Sequence, residues 1–149
     1  MLTFFEDYVV GAVLEAGETK VDAQEVHAFA LRYDPQPIHV DAAFAAASPY
    51  GGIIGSGWQT AAFTMRMIVD EVIDARYSLG SPGIGALAWR VPVRPGDVLR
   101  VRAHVKATRR SQSKPDRGFV TIDVETVNQN DEIVLRAQDW ICIVRTRAS

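Results

Sequence analysis

The sequence predicts a single α+β domain in which one antiparallel sheet wraps around one long buried helix. Three observations predict it. The first half of the 149-residue chain carries helix caps and helical apolar spacing, the second half carries four strand-like segments, and no linker or internal repeat separates them. A chain of this length can bury a sizeable core as one unit, so residues 1–149 are assigned to one domain.

Taken in order, Asp22-Ala23-Gln24-Glu25 has the logic of a capping box, an acidic cap with a glutamate three positions on. Val26, Phe29, Ala30 and Tyr33 then recur at helical spacing, and Asp34-Pro35 ends the helix because proline pushes the preceding residue out of the α region. Asp41 is expected to cap a short alanine-rich helix, Ala42 to Ala47, which Ser48-Pro49 stops. From Ser56 a longer helix is expected to run to about Arg76. Its apolar positions Ala61, Ala62, Met65, Met67, Ile68, Val72 and Ile73 cover so much of its circumference that it needs a sheet around it.

The sheet comes from four segments. Ile84 to Val93 is the first, ending at a Pro-Gly turn, and Val98 to Lys106 alternates apolar with basic residues as a half-buried strand does. Phe119 to Val127 and Glu132 to Val144 complete an expected antiparallel meander, separated by Asn128-Gln129-Asn130-Asp131. Pro92, inside a strand pattern, marks an edge or bulge beside a binding site, or simply the end of the strand.

Composition excludes several classes of function. With 48% hydrophobic residues, 23% charged residues and a net charge of −2, the chain lacks the basic balance and aromatic-basic pattern of a nucleic-acid module. Met1 to Asp7 lack the basic region and apolar run of a signal peptide, and no apolar run approaches the roughly 18 residues of a membrane span. Cys142 is the only cysteine, so no intrachain disulfide forms and a reducing cytoplasm is the expected location. Its apolar neighbours make it a packed thiol rather than a nucleophile. His27 and His104 stand in no metal-ligand spacing and are read as structural, and no metal site is expected.

The stretch Tyr33-Asp34-Pro35-Gln36-Pro37-Ile38-His39-Val40-Asp41 places an acid and an imidazole five residues apart on a proline-stiffened turn. Pro35 and Pro37 should hold Asp34 and Gln36 extended, and such fixed geometry favours a general acid/base pair. The structural alternative is a helix end at Asp34, a cap at Asp41 and a space-filling His39. A glycine-punctuated segment follows, Tyr50-Gly51-Gly52-Ile53-Ile54-Gly55-Ser56-Gly57-Trp58, leading into the long helix.

Together with Arg90-Val91-Pro92-Val93-Arg94-Pro95-Gly96-Asp97, these motifs resemble the MaoC-like, or (R)-specific enoyl-CoA hydratase, branch of the hot-dog fold. The resemblance runs from about Glu6 to the last strand. Asp34, Pro37, Ile38 and His39 match the family's hydratase turn, whereas Tyr33 replaces its usual glycine, Gln36 its asparagine, and Ser56 the histidine often found before the oxyanion-hole glycine. The resemblance implies a hot-dog domain that hydrates a 2-enoyl thioester, or dehydrates the 3-hydroxyacyl thioester, on coenzyme A. Asp34 and His39 would hold one water and exchange protons with it, the residues leaving open which takes the first proton. Gly57 would donate its N–H to the thioester oxygen from a helix N-terminus.

Gln36 and Ser56 are candidates for positioning water or substrate, against purely structural roles; for Ser56 that role is capping the helix. Tyr50 and Trp58, with Trp89, are candidates for an acyl pocket, or for a core or dimer interface. Arg109, Arg110, Lys114 and Arg117 form a basic hairpin, read as a solvated loop or as a contact for coenzyme A phosphates. The resemblance also implies a homodimer or dimer of dimers, and no cofactor beyond the coenzyme A of the acyl-CoA substrate. The alternatives are a hot-dog thioesterase and a non-catalytic acyl-thioester-binding subunit.

Overall fold

In a computed structural model, which describes residues 1–147, one antiparallel sheet is laid across a central helix. The elements run β1 (Val13–Lys20), α1 (Ala23–Tyr33), α2 (Pro37–Val40), α3 (Ala42–Ala47), α4 (Gly57–Met67), β2 (Gly83–Trp89), β3 (Val98–Arg110), β4 (Arg117–Val127) and β5 (Ile133–Arg145). The sheet order is β1-β3-β4-β5-β2.

The strands from β3 to β5 form the expected meander, and alternation along them sets two faces. Val101, Ala103 and Val105 of β3, with Val120, Ile122 and Val124 of β4, point inward and meet Phe63 and Met67 of α4 in the core. Burying each such side chain contributes roughly 1.5–3 kcal/mol. The outward positions carry Arg102, Lys106, Asp123, Glu125 and Arg136, which pair across strands: Lys106 with Asp123 at 3.6 Å, Arg136 with Glu125 at 3.0 Å. His104 belongs to this solvated face, 3.9 Å from Glu125, in agreement with a structural role.

Three expectations change. The first is a missing strand: β1, in the supposedly helical half, pairs with β3 at the sheet edge. Gly17 (φ +88°) sits where the ladder shifts register, and a β-carbon there would overlap the Met67 side chain, so the glycine that hides the strand's alternation is what lets it pack on α4.

The second concerns the central helix, which stops at Met67 and continues as a π turn over Ile68–Val72 instead of reaching Arg76. Leu2 explains the ending: its N–H donates to the Val72 carbonyl at 2.7 Å and its carbonyl accepts from Asp74 N–H at 2.9 Å, taking backbone groups that a longer helix would use. α4 is also buried on one side only. Ala62, Met65 and Arg66 are exposed, while the buried face includes the polar Gln59, Thr60 and Thr64.

Third, the segment read as Ile84 to Val93 is a strand only to Trp89, and it lies at the far edge beside β5 rather than next to β3. Pro92 follows it and so terminates pairing. Gln36 is extended as expected (φ −72°, ψ 140°), and Pro37 then begins a four-residue helix that carries His39. Pro at the first helical position suits that start because its missing N–H would have been unpaired.

Both caps read from the sequence are present: Asp22 accepts from Glu25 N–H at 2.9 Å and Asp41 from Phe44 N–H at 2.9 Å. Cys142 is partly buried, and desolvation pushes its thiol up to about 11, as expected of a packed cysteine. Among the described residues, no helix is long and apolar enough to cross a membrane.

Candidate active site

The end of α1 and the α2 turn bring Asp34 and His39 together. Asp34 closes α1, its N–H donating to the Ala30 carbonyl at 2.9 Å, with backbone angles outside the helical region as Pro35 requires. His39, 5% exposed, turns its Nε2 toward Asp34 Oδ2 at 3.3 Å. Its Nδ1 lies 2.7 Å from the Ile54 carbonyl oxygen, which can only accept. Nδ1 therefore carries the hydrogen, and Nε2 is the atom free to take or give a proton.

The glycine segment is tied down by its backbone: Ile54 N–H donates to the Ile38 carbonyl at 3.3 Å and Gly55 N–H to the Val93 carbonyl at 2.7 Å. This carries Ser56, fully buried, to the other side of Asp34, where its Oγ donates to Oδ2 at 2.7 Å. Gln36 Nε2 donates to Oδ1 at 2.7 Å. Both carboxylate oxygens are thus occupied. The Gln36 amide, then the Ser56 hydroxyl and the neighbouring His39, hold the Asp34 carboxyl below the usual carboxylate range against the opposing effect of burial.

Ser56 stands at the N-cap position of α4 without capping it, because its hydroxyl is committed to Asp34. That corrects the capping expectation and leaves the first amides of α4 uncapped. The Gly57 N–H has no acceptor among the described residues, as expected for the first residue of a helix. Trp89 packs on Gly57 so closely that a β-carbon there would lie 2.6 Å from the indole, and its Nε1–H donates to the Gly57 carbonyl at 2.8 Å. Only glycine admits this approach.

Asp34, Gln36, His39, Tyr50, Gly57 and Trp58 all line one cavity of about 440 Å³, together with Trp89, Arg90, Val93 and Val134. Trp58 and Trp89 meet edge to face with centroids 5.0 Å apart at its rim. Every site candidate except Ser56 lines the cavity itself, and Ser56 reaches it through Asp34. Thr60 and Val134 also line it, and nothing local in the sequence marks them; they arrive from α4 and the start of β5, while Arg90, from the motif Arg90 to Asp97, arrives just after β2.

The basic hairpin lies elsewhere. Arg117 and Arg145 pair at one end of the β4–β5 ladder and Thr126 and Leu135 near the other, so the hairpin and the cavity are roughly 30 Å apart along the strands. Arg110 pairs with Glu6, Arg117 with Asp116, and Arg109 stacks on Phe119, which makes the hairpin a surface network rather than a substrate contact in this protomer.

A strongly curved antiparallel sheet around a helix, with an aspartate–histidine pair facing a free helix N-terminus, defines an α+β hot-dog domain with acid–base equipment. The chain belongs to the MaoC-like domain family, whose model matches residues 7–132. It is 39% identical to a MaoC-like dehydratase from Rhodospirillum rubrum, with a TM-score of 0.88 over 97% of this chain and 99% of that one. It is 32% identical over 139 residues to the 3-hydroxybutyryl-CoA dehydratase of Methylorubrum extorquens, covering 89% of this chain and 78% of that protein. The (R)-hydratase PhaJ1 of Pseudomonas aeruginosa shares the fold, with a TM-score of 0.71 at 23% identity over 97% of this chain and 86% of that one.

Proposed function

We propose that this protein is a hydratase/dehydratase that interconverts 2-enoyl and 3-hydroxyacyl thioesters of coenzyme A. The observation that carries the proposal is the convergence, in one cavity, of His39 Nε2, an Asp34 carboxylate that accepts from Gln36 and Ser56, and the Gly57 N–H, which has no acceptor among the described residues. The dehydratase names of the two relatives above add support.

In this reading a water rests against His39 Nε2 and Asp34. As the water oxygen bonds to C3, Nε2 takes one of its protons, and the C2=C3 electrons move onto the thioester oxygen, which Gly57 N–H stabilises. The same Nε2–H then delivers its proton to C2, completing net addition of one water. Asp34 is too heavily hydrogen-bonded to be a strong base; it orients the imidazole and stabilises its protonated form. The balance consumes no electrons, and the proton relay lies wholly in protein side chains. Ser56 and Gln36 act as positioning residues on Asp34, and Tyr50 and Trp58 flank the acyl chain.

A homodimer forms part of the proposal. β2 is the terminal strand of the sheet, its outer edge is unpaired, and Ile84, Trp89 and Trp58 leave apolar surface exposed around it. Light scattering that returned a monomer at micromolar concentration would refute this part.

The activity test follows the conjugated-enoyl absorbance of short, medium and branched 2-enoyl-CoA esters while monitoring free thiol. Absorbance loss without thiol release, reduced about 10²–10⁴-fold or abolished in both His39→Ala and Asp34→Asn, is expected. Thiol release would instead identify a thioesterase, and saturable binding without turnover an acyl-thioester-binding subunit.

A further inference from the structure

The cations of this protein are almost all neutralised. Among the described residues, the lysines and arginines stand within 4.0 Å of a carboxylate, as Arg66, Arg76 and Arg136 do, or over an aromatic ring, as Arg32 and Arg109 do; the exceptions are Lys20, Arg90, Arg94 and Lys114. Two of these four stand at or beside the catalytic cavity. Arg90 lines it, and its own backbone N–H is held by the Val134 carbonyl at 2.9 Å. Arg94 reaches over the rim to donate from one terminal nitrogen to the Tyr50 carbonyl at 2.7 Å, with its other terminal nitrogen beside Gly52.

Both guanidinium groups are exposed and, among the described residues, have no carboxylate within 4.0 Å, so they are open to an anionic ligand. Asp34 does not serve as that anion: neither arginine comes within 4.0 Å of it, and its hydrogen-bond donors are Gln36 and Ser56. Asp97, the acidic neighbour of Arg94, accepts instead from the Arg94 backbone N–H at 2.9 Å and from Gln129 at 2.9 Å. The Tyr50 carbonyl uses one of the five Arg94 donors and fixes the plane of the fork, leaving the remaining edge presented for a tetrahedral oxyanion.

We propose that Arg90 and Arg94 form an anion subsite that binds phosphate on the carrier arm of the thioester. This rests on the reading that the substrate is a coenzyme A-type thioester, and it names which residues recognise the carrier, a role the sequence had offered to the remote hairpin. Phosphate reaches the site from coenzyme A or from the phosphopantetheine of a carrier protein, and the chemistry recognised is the same.

The test compares crotonyl-CoA, crotonyl-phosphopantetheine and crotonyl-N-acetylcysteamine, which share the reacting carbons and differ in phosphate, for the wild type and for Arg90→Gln, Arg94→Gln, Arg94→Lys and the double variant. Binding is read by quenching of Trp58 and Trp89, alongside kcat/KM. The expected result is that the preference for the phosphate-bearing esters over the N-acetylcysteamine ester falls about tenfold for each arginine lost, mainly through KM, and that the wild-type preference shrinks with added salt. Arg94→Lys should restore part of it, which loss of folding would not allow. A retained effect with phosphopantetheine alone assigns the pantetheine phosphate; an effect confined to crotonyl-CoA assigns the nucleotide phosphates. An unchanged preference in the double variant overturns the proposal. If the wild type hydrates all three esters equally, the subsite is refuted and the hydratase reading stands; if it binds crotonyl-CoA through the arginines and turns over nothing, the reverse holds.

Discussion

Ser56→Ala removes one hydroxyl and tests the central claim about Asp34. The side chain is fully buried and donates to Asp34 Oδ2 at 2.7 Å, while the Asp34 side chain is only 17% exposed, so solvent does little to replace the bond. A hydrogen bond to a charged acceptor contributes about 1.5–3 kcal/mol, and about half that once the acceptor is neutral. The folded carboxyl of Asp34 is held below its ordinary range, by Gln36 first and Ser56 second. Its contribution is therefore fully present above the unfolded value near pH 3.9 and is lost as pH falls through the lower folded value. The wild type should exceed Ser56→Ala by about 2 kcal/mol at pH 6–7, and the gap should narrow below about pH 4. Urea unfolding at fixed protein concentration from pH 3 to 7 measures this. A helix-capping serine would also cost about 1 kcal/mol on truncation, but with no dependence on the ionisation of Asp34. A gap that stays constant across this pH range would refute the claim that Ser56 serves Asp34, and with it the explanation of why the Gly57 amide is uncapped.

Three further outcomes are expected. Gly57→Ala places a β-carbon 2.6 Å from the Trp89 ring and should lower stability by about 1–3 kcal/mol, whereas in a Trp89→Ala background the same change should be neutral or stabilising through helix propensity; thermal melts of the four proteins in the cycle decide it. Thr64 donates to the Thr60 carbonyl at 2.8 Å, so the hydroxyl of Thr126, 2.6 Å away, must donate to Thr64. Thr64→Val strands that buried donor and should cost about 1–3 kcal/mol, more than Thr126→Val, and the double variant should cost less than the sum; denaturant midpoints check the order. Trp89→Phe keeps a ring against Trp58 and loses the Nε1–H bond to the Gly57 carbonyl, so it should cost about 0.5–1.5 kcal/mol without changing the oligomeric state seen by light scattering.

What the sequence determined was local. The acid and imidazole of the hydratase turn, the caps at Asp22 and Asp41, and the alternation of β3 to β5 all follow from residues within a few positions of one another, where proline geometry, side-chain capping and period-two burial act. The resemblance to the MaoC-like family rested on the hydratase turn, the glycine segment Tyr50 to Trp58 and the stretch Arg90 to Asp97. Only the tertiary structure decided the rest, because the deciding partners are far apart in the chain. β1 was illegible because Gly17 breaks its alternation to make room for Met67, and the end of the central helix was set by Leu2, far away at the start of the chain. The fate of Ser56 was decided by competition between a local amide and a carboxylate 22 positions earlier, which the carboxylate won because a charge-assisted bond in a buried site outweighs a cap. Trp89 on Gly57 and the unpaired Arg90 beside the cavity are likewise products of sheet order: β2 pairs with β5 at the edge and brings Trp89 and the residue after it to the cavity, contacts that the motif Arg90 to Asp97 did not reveal.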